Sequence, residues 1–77
     1  RPESLRYVFV DPDGAVAKAE MIWNKVLDER NLSVEIFTAD GTRRVLTDND
    51  VLALEANGWT AETLKKHIQG EVSWPMN

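Results

Sequence analysis

Two pairs of aspartates in this 77-residue sequence have a spacing that could support chemistry. Asp11 and Asp13 follow the apolar run LRYVFV, and Asp48 and Asp50 follow the shorter run VLT. Carboxylates two residues apart can bind one cation together. A calcium loop of the EF-hand type also needs Gly at its sixth position and Glu at its twelfth. Neither pair is followed by these residues, so we predict no metal site.

The segment VFVDPDGAV resembles the first motif of haloacid-dehalogenase-type phosphatases. The resemblance implies a nucleophilic role for Asp11 and an acid/base role for Asp13. Such enzymes also need a lysine, further acids and a much larger scaffold than this chain can supply. The residues themselves favour a structural role, in which Asp11 caps a helix that begins at Pro12. In that role Asp13 lies at the positive end of the helix dipole.

His67 is the only histidine, and the chain has no cysteine. A histidine that serves as a general base usually needs a nucleophile and an orienting partner, and the sequence places neither beside it. We expect His67 in the last turn of a helix, where it favours the negative end of the helix dipole. The sequence therefore predicts a protein that is not an enzyme, with no catalytic residues and no cofactor.

The composition is that of a small folded domain, with 43% hydrophobic and 29% charged residues. We expect one domain over residues 1–77, with residues 1–4 flexible. The first residue is Arg1 and not Met, which is compatible with a fragment of a longer chain. The apolar runs are too short for a membrane span, and the lack of cysteine fits a reducing compartment. We therefore expect a soluble, cytoplasmic protein.

The order of local signals predicts an α+β fold with the sequence β-α-β-β-α-α. A strand, a crossover helix and a second strand give two parallel strands, and a hairpin adds an antiparallel third. We expect a small mixed three-stranded sheet with helices mainly on one face, and an extended C-terminal segment that could add a short strand. The predicted strands are residues 5–10, 33–39 and 42–46, the helices are residues 12–30, 48–57 and 61–69, and the extended segment is residues 71–74.

Two of these elements have informative ends or faces. The first strand, LRYVFV, is apolar on both faces, which is typical of a strand that lies inside a sheet or is covered twice. The first helix carries an apolar stripe that includes Trp23, so we expect Trp23 in the core. Asn31 is expected to end that helix in the left-handed conformation.

The register of the hairpin follows from its turn. Asp40-Gly41 between two extended runs is typical of a two-residue turn, in which both positions need positive φ. This turn would pair Ile36 with Val45. It would place Val45 on the same face as Ile36, and Leu46 on the opposite face.

The segment DVLALEANGWTAETLKKHIQG, residues 50–70, resembles a helix-turn-helix. The resemblance implies that Gly58 makes the turn, that Trp59 follows it and that Leu64 packs between the helices. It also implies that exposed residues of the second helix face DNA bases, namely Thr60, Glu62, Thr63 and Lys66. Residues 47–77 contain five acids and two lysines, a charge that disfavours contact with phosphates. A helical hairpin that packs on the sheet is the alternative.

These observations favour a non-catalytic binding or regulatory module, such as an adaptor or accessory protein, that acts through protein–protein contacts. The formal charge of −4 suits a basic protein partner. The alternative is a helix-turn-helix regulator that binds nucleic acid through residues 50–70. The candidate interaction residues are the less central tryptophans and the adjacent basic pairs, namely Trp59, Trp74, Arg43, Arg44, Lys65 and Lys66.

Overall fold

The computed structural model describes residues 5–76, and the expectation for residues 1–4 lies outside this range. The elements follow the predicted order, and the α+β class with a small mixed three-stranded sheet is confirmed. The strands are β1 (Leu5–Phe9), β2 (Leu32–Phe37) and β3 (Arg43–Leu46), and the helices are α1 (Pro12–Ala17), α2 (Ala19–Asp28), α3 (Asp48–Ala56) and α4 (Ala61–Ile68).

β2 is the central strand, because β1 pairs with it in parallel on one side and β3 pairs with it antiparallel on the other. Alternate residues of β2 point to opposite faces. Leu32, Val34 and Ile36 are buried in the core that the helices complete. We call the other side the open face. It consists of Arg6, Val8, Ser33, Glu35, Phe37, Arg43 and Val45.

The predicted hairpin register is wrong by one residue. Ile36 pairs with Arg44, and Glu35 pairs with Val45. A shift of one residue sends every side chain of a strand to the other face. Leu46 is therefore fully buried in the core, and Val45 lies on the open face.

The Asp40 carboxylate favours the register that forms. It accepts hydrogen bonds from the Thr38 hydroxyl and from the backbone N–H of Thr42, the latter at 3.0 Å. The Thr38 N–H also donates to the Thr42 carbonyl at 2.9 Å, which closes a three-residue loop over residues 39–41. Only Gly41 has positive φ in this loop (86°), whereas the predicted two-residue turn needs positive φ at two positions.

The predicted helix over residues 12–30 is divided and shorter. Lys18 leaves helical geometry (φ −107°, ψ 8°), and its N–H is shared between the carbonyls of Gly14 and Ala15, each at 3.2 Å. This tighter turn separates α1 from α2. The prediction for Asn31 is also wrong: α2 ends at Asp28, the next residue is already extended, and Asn31 has no positive φ.

Side-chain caps fix where the helices begin. Asp11 accepts a hydrogen bond from the backbone N–H of Asp13, in the capping role that the sequence predicts. Thr47 and Thr60 each form a reciprocal capping box with the residue three positions later. These caps satisfy backbone donors that the first turn of a helix leaves without partners.

The C-terminal segment adds no strand to the sheet over residues 71–76, so the extended strand considered from the sequence does not form there. Gly70 follows the end of α4 and has positive φ (86°). The Glu71 N–H donates to the Lys66 carbonyl at 2.7 Å. The chain then packs back on the core through Val72, Trp74 and Met76.

α2 lies at the centre of the helical layer, in contact with β2, α3 and α4. Ile22, Trp23 and Val26 are buried on its inner side, which confirms the core position predicted for Trp23. Met21, on the outer side of the same helix, is 46% exposed.

We predict that Trp23→Ala lowers the free energy of unfolding by about 3–5 kcal/mol, because it removes a large buried side chain. Small domains have on the order of 5 kcal/mol in total, so much of this variant should be unfolded. Met21→Ala is the matched control and should cost about 0.5 kcal/mol or less. Thermal denaturation followed by circular dichroism measures both. Equal melting temperatures for Trp23→Ala and the parent protein would contradict this packing.

Candidate functional site

Two of the predicted interaction residues, Trp74 and Arg44, meet beside His67. The guanidinium carbon of Arg44 lies 4.8 Å from the centroid of the Trp74 ring, in the range of a cation–π contact. The Trp74 ring stands edge-on to Trp59 at 5.6 Å and tilted to His67 at 5.1 Å, both measured between centroids. Trp59 is buried in the core, so it supports this cluster from within and offers little surface to a partner.

His67 ties the C-terminal segment to the sheet. Arginine can only donate, so the Arg44 Nε–H donates to His67 Nε2 at 3.2 Å. The proton on the ring therefore belongs on Nδ1, which lies 2.8 Å from the Val72 carbonyl and donates to it. The His67 side chain is buried and both of its nitrogens are used. Its two hydrogen bonds hold the C-terminal segment against β3, which is a structural role.

A cleft of about 380 Å³ lies beside His67. Asp40 lies on it, and hydrogen bonds from Thr38 and then Thr42 lower the pKa of the Asp40 carboxyl from 3.8 to about 2. The same bonds hold Asp40 in the hairpin loop, while Arg44 is engaged by His67 and Trp74. The polar groups of the cleft thus satisfy one another, and we assign it a structural role.

The other predicted interaction residues lie elsewhere, so the six do not form one surface. Arg43 points to the open face, opposite to Arg44, because adjacent strand residues alternate. Lys65 lies 3.4 Å from Glu62 on α4, and Lys66 is exposed.

The helix pair of the helix-turn-helix resemblance forms, with Gly58 in its connection at φ 82°. α3 and α4 each pack on α2. Thr60 and Thr63, which the resemblance directs towards DNA bases, bond to each other in the capping box of α4. Two of the four side chains that the resemblance directs towards bases are therefore engaged within the chain.

The open face has a buried charge at its centre. The Glu35 carboxylate accepts from Arg6 at 2.7 Å and from Arg43, one guanidinium from each edge strand. The hydrogen bond from Arg6, and next the one from Arg43, lower the pKa of Glu35 below its ordinary value of 4.5. This triad joins the three strands across the open face.

The surface that stands out most was not among the predicted sites. β1 is apolar on both faces, and the sequence led us to expect a strand inside the sheet or covered on both faces. Instead, β1 lies at an edge of the sheet and is not covered on both faces. Four of the seven large exposed hydrophobic side chains in residues 5–76 belong to β1 or directly follow it, and a fifth lies beside it on α2. We call these five the β1 patch. They are Leu5 (48% exposed), Tyr7 (48%), Val8 (49%), Val10 (72%) and Met21 (46%).

An apolar groove of about 210 Å³ runs along the β1 patch between β1 and α2. Tyr7 and Phe9 line its strand side, and Met21, Ile22 and Lys25 line its helix side. The groove is large enough for part of a hydrophobic side chain, and its walls are mostly carbon. Its size and lining suit an apolar group.

The backbone along the outer side of β1 is also available. Leu5 N–H bonds to the Asn31 carbonyl at 2.9 Å, on the side of β2. Backbone groups alternate in direction along a strand, so the N–H and C=O of Arg6 and Val8 point away from the sheet. β1 therefore offers both apolar side chains and unpaired backbone groups along one edge.

The sequence contained a signal for this surface. Tyr7 and Val8 point to opposite faces of a five-residue strand, and both are apolar. The chain covers neither of them fully. A strand built for burial that its own chain leaves half exposed indicates a missing neighbour.

Side-chain clusters typical of metal binding are not found in residues 5–76. No three histidine, aspartate or glutamate side chains in that range could hold one metal ion. Over the same range, no helix is long and apolar enough to cross a bilayer. Comparison with protein-family models, curated proteins and solved structures found no match to this chain.

We predict that the stability contributed by Glu35 is lost in acid. A carboxyl whose folded pKa is lowered stabilises the fold fully above about 4.5, its ordinary value, and stops doing so as pH falls through the folded pKa. Glu35→Gln should therefore melt below the parent at neutral pH, because Arg6 and Arg43 lose their shared anion. The gap between the two melting temperatures should narrow as pH falls below about 4.5.

Melting temperatures of both proteins at a series of pH values from neutral to strongly acidic measure this gap. Asp40 titrates in both proteins and cancels in the difference. A gap that stays constant across the acid range would show that the Arg6–Glu35–Arg43 triad adds no stability.

Proposed function

We propose that this chain is a non-catalytic protein-interaction module that binds an extended strand of another polypeptide along the free edge of β1. The observation that supports this most is the β1 patch, in which an apolar strand lies at the sheet edge with about half of its side-chain surface in water. Strand addition at a sheet edge is a common mode of peptide recognition. The backbone bonds provide affinity, and pockets for alternate side chains provide specificity.

The energetics of the patch favour a partner. Full burial of a large aliphatic or aromatic side chain contributes about 1.5–3 kcal/mol, so covering a half-exposed one contributes on the order of 1 kcal/mol. The five residues of the patch together offer several such contributions. They offset the loss of freedom on association, which costs at least about 4 kcal/mol.

The charges beside the patch define the chemistry of the partner strand. Arg6 is paired with Glu35 at 2.7 Å, and Lys25 is paired with Glu29 at 3.8 Å. Because Glu35 offsets part of the charge on Arg6 and Glu29 offsets that on Lys25, the patch favours a mostly apolar strand with little charge. The basic partner considered from the net charge would have to bind another surface.

The other edge of the sheet is protected by comparison. β3 has four residues, two of which are Arg43 and Arg44. Short edge strands that carry charge are a common protection against unwanted pairing. β1 has five residues and one charge, on Arg6. Glu35 pairs with both Arg6 and Arg43, so Arg44 is the additional charge that distinguishes β3.

We predict that photo-crosslinking identifies β1 as the binding surface. A photoreactive phenylalanine analogue at Tyr7 should form adducts with a second polypeptide in a native lysate, either a lysate protein or another copy of this chain, whereas the same analogue at Leu52 should not. Leu52 is the matched control, because it is 54% exposed on α3 and Tyr7 is 48% exposed on β1.

A second pair of variants tests strand addition itself. Val8 and Val45 are the two neighbours of Glu35, one on each edge strand. The Thr38–Thr42 hydrogen bond sets the alternation along β3, so the Val45 N–H points to the free edge of β3 just as the Val8 N–H points to that of β1. Proline is tolerated in an edge strand when the N–H it replaces faces solvent. Val8→Pro should abolish the adducts at position 7, and Val45→Pro should leave them unchanged. Adducts that form equally at positions 7 and 52, or that survive Val8→Pro, would contradict the proposal.

We also predict that the chain does not bind duplex DNA. Of the four clustered cations, Arg43 is paired with Glu35 and Lys65 with Glu62, so few remain to neutralise phosphates. Fluorescence anisotropy with a mixed-sequence duplex at about 50 mM salt should show no binding. Micromolar binding that weakens with salt and is lost when Lys65 and Lys66 are both replaced by glutamate would favour the helix-turn-helix alternative instead.

A further inference from the structure

We infer that the strand bound by β1 is β1 of a second copy of this chain, antiparallel to the first and related to it by a two-fold axis at Tyr7. This inference rests on the proposed function and names its partner. The two sheets would join into one sheet of six strands with the two copies of β1 at its centre.

The free backbone groups of β1 are self-complementary in one antiparallel register. The N–H and C=O groups of Arg6 and Val8 point outward. When two antiparallel copies pair Arg6 with Val8 of the second copy, each pair exchanges two N–H to C=O bonds. The two-fold relation repeats this pair, so all four outward groups of each strand are satisfied. Tyr7 then lies opposite Tyr7 of the second copy, in the close pair that makes no backbone bonds.

The side chains of β1 have the same symmetry about Tyr7. Leu5 and Phe9 are equidistant from Tyr7, and all three point to the face that carries the core. The antiparallel register therefore places Leu5 opposite Phe9 of the second copy, which gives apolar pairs on one face along the whole strand. A slip of one residue would set Arg6 or Val8 opposite a residue whose N–H and C=O point to its own β2, so those pairs could exchange no backbone bonds.

The groove beside Tyr7 is a space that the second copy would fill. It has a volume of about 210 Å³ and lies between Tyr7 and Met21, next to the two-fold axis. Residues opposite each other in the close pair have Cα atoms about 4.5 Å apart. This spacing brings the aromatic ring of the second copy close to the groove.

Charge opposes this pairing in general, because each copy has a net charge of −4. The strand itself carries one charge, on Arg6, which pairs with Glu35 of the same chain at 2.7 Å. Glu35 also pairs with Arg43, so it offsets part of the charge on Arg6. The register places Val8 opposite Arg6, so the two Arg6 side chains are not direct neighbours.

The closed arrangement also resolves the hazard of an exposed edge. An apolar edge strand without proline or bulge can add further chains and aggregate. A two-fold pair uses each β1 edge once and leaves only the short β3 edges, which carry Arg43 and Arg44. Other copies are present wherever the chain is made, so a second copy can always cover this edge and prevent aggregation.

Sedimentation equilibrium of the 77-residue chain tests the inference directly. The apparent mass should rise from that of one chain towards that of two chains between about 10 µM and about 1 mM. Val8→Pro removes a backbone donor from each copy and should weaken association by about tenfold or more. Val45→Pro, the matched change on β3, should leave the association unchanged. Circular dichroism of each variant confirms that it is folded.

Engineered cysteines test the register, and the natural chain has no cysteine to interfere. In Tyr7→Cys the two thiols face each other at the two-fold axis, with Cα atoms at a distance that suits a disulfide. In Leu5→Cys the two thiols lie about 13 Å apart along the strands, too far to form one. Both residues are 48% exposed, so they should oxidise equally in the absence of pairing. We expect a rapid covalent dimer from Tyr7→Cys and not from Leu5→Cys.

The results separate this inference from the proposed function. A chain that stays monomeric to about 1 mM overturns the second-copy inference. A dimer whose association is not weakened by Val8→Pro overturns it too. Equal disulfide formation at positions 5 and 7 overturns it as well. If lysate adducts at position 7 still depend on Val8 in a monomeric chain, strand addition stands with a different polypeptide as the partner. If those adducts are also absent, both proposals fall.

Discussion

The burial of one face of β2 against the helices is the interaction on which the rest of this structure depends. Leu32, Val34 and Ile36 are almost fully buried there, and β2 is the only strand in residues 5–76 with a neighbour on each side. Every described helix contributes to that one core, either directly or through α2. A chain of 77 residues has little left to cover a second face or the sheet edges. The exposed β1 patch is a consequence of this small size.

Features decided by adjacent residues could be predicted from the sequence. Asp11 as a helix cap, Thr47 and Thr60 as capping residues and Trp23 on the core stripe all follow from spacings of a few residues. Together they gave the correct order of elements and the correct fold class. The hairpin register could not be read in this way. It depends on hydrogen bonds from Thr38 and Thr42 to Asp40, which compete with the turn preference of Asp-Gly.

The same distinction holds for the candidate sites. The contacts of Arg44 with His67 and Trp74 join residues 23 or more positions apart, and no local pattern indicates them. The β1 patch, in contrast, was present in the sequence as a strand that is apolar on both faces. The general rule for such strands predicts a covering layer, and in this chain that layer is absent over the described residues. Where a reliable pattern and the isolated structure disagree, the disagreement itself points to a partner.

Amide hydrogen exchange at Val8 and Val45 tests the central claim, that another strand pairs with β1, most directly. Both residues pair with Glu35, lie on the open face and direct their N–H to a free edge of the sheet. Their amides should therefore exchange at similar rates in the isolated chain. We predict that exchange at Val8 slows as the protein concentration rises while exchange at Val45 stays fast. Equally fast exchange at both amides, at every concentration and in the presence of lysate proteins, would contradict the account.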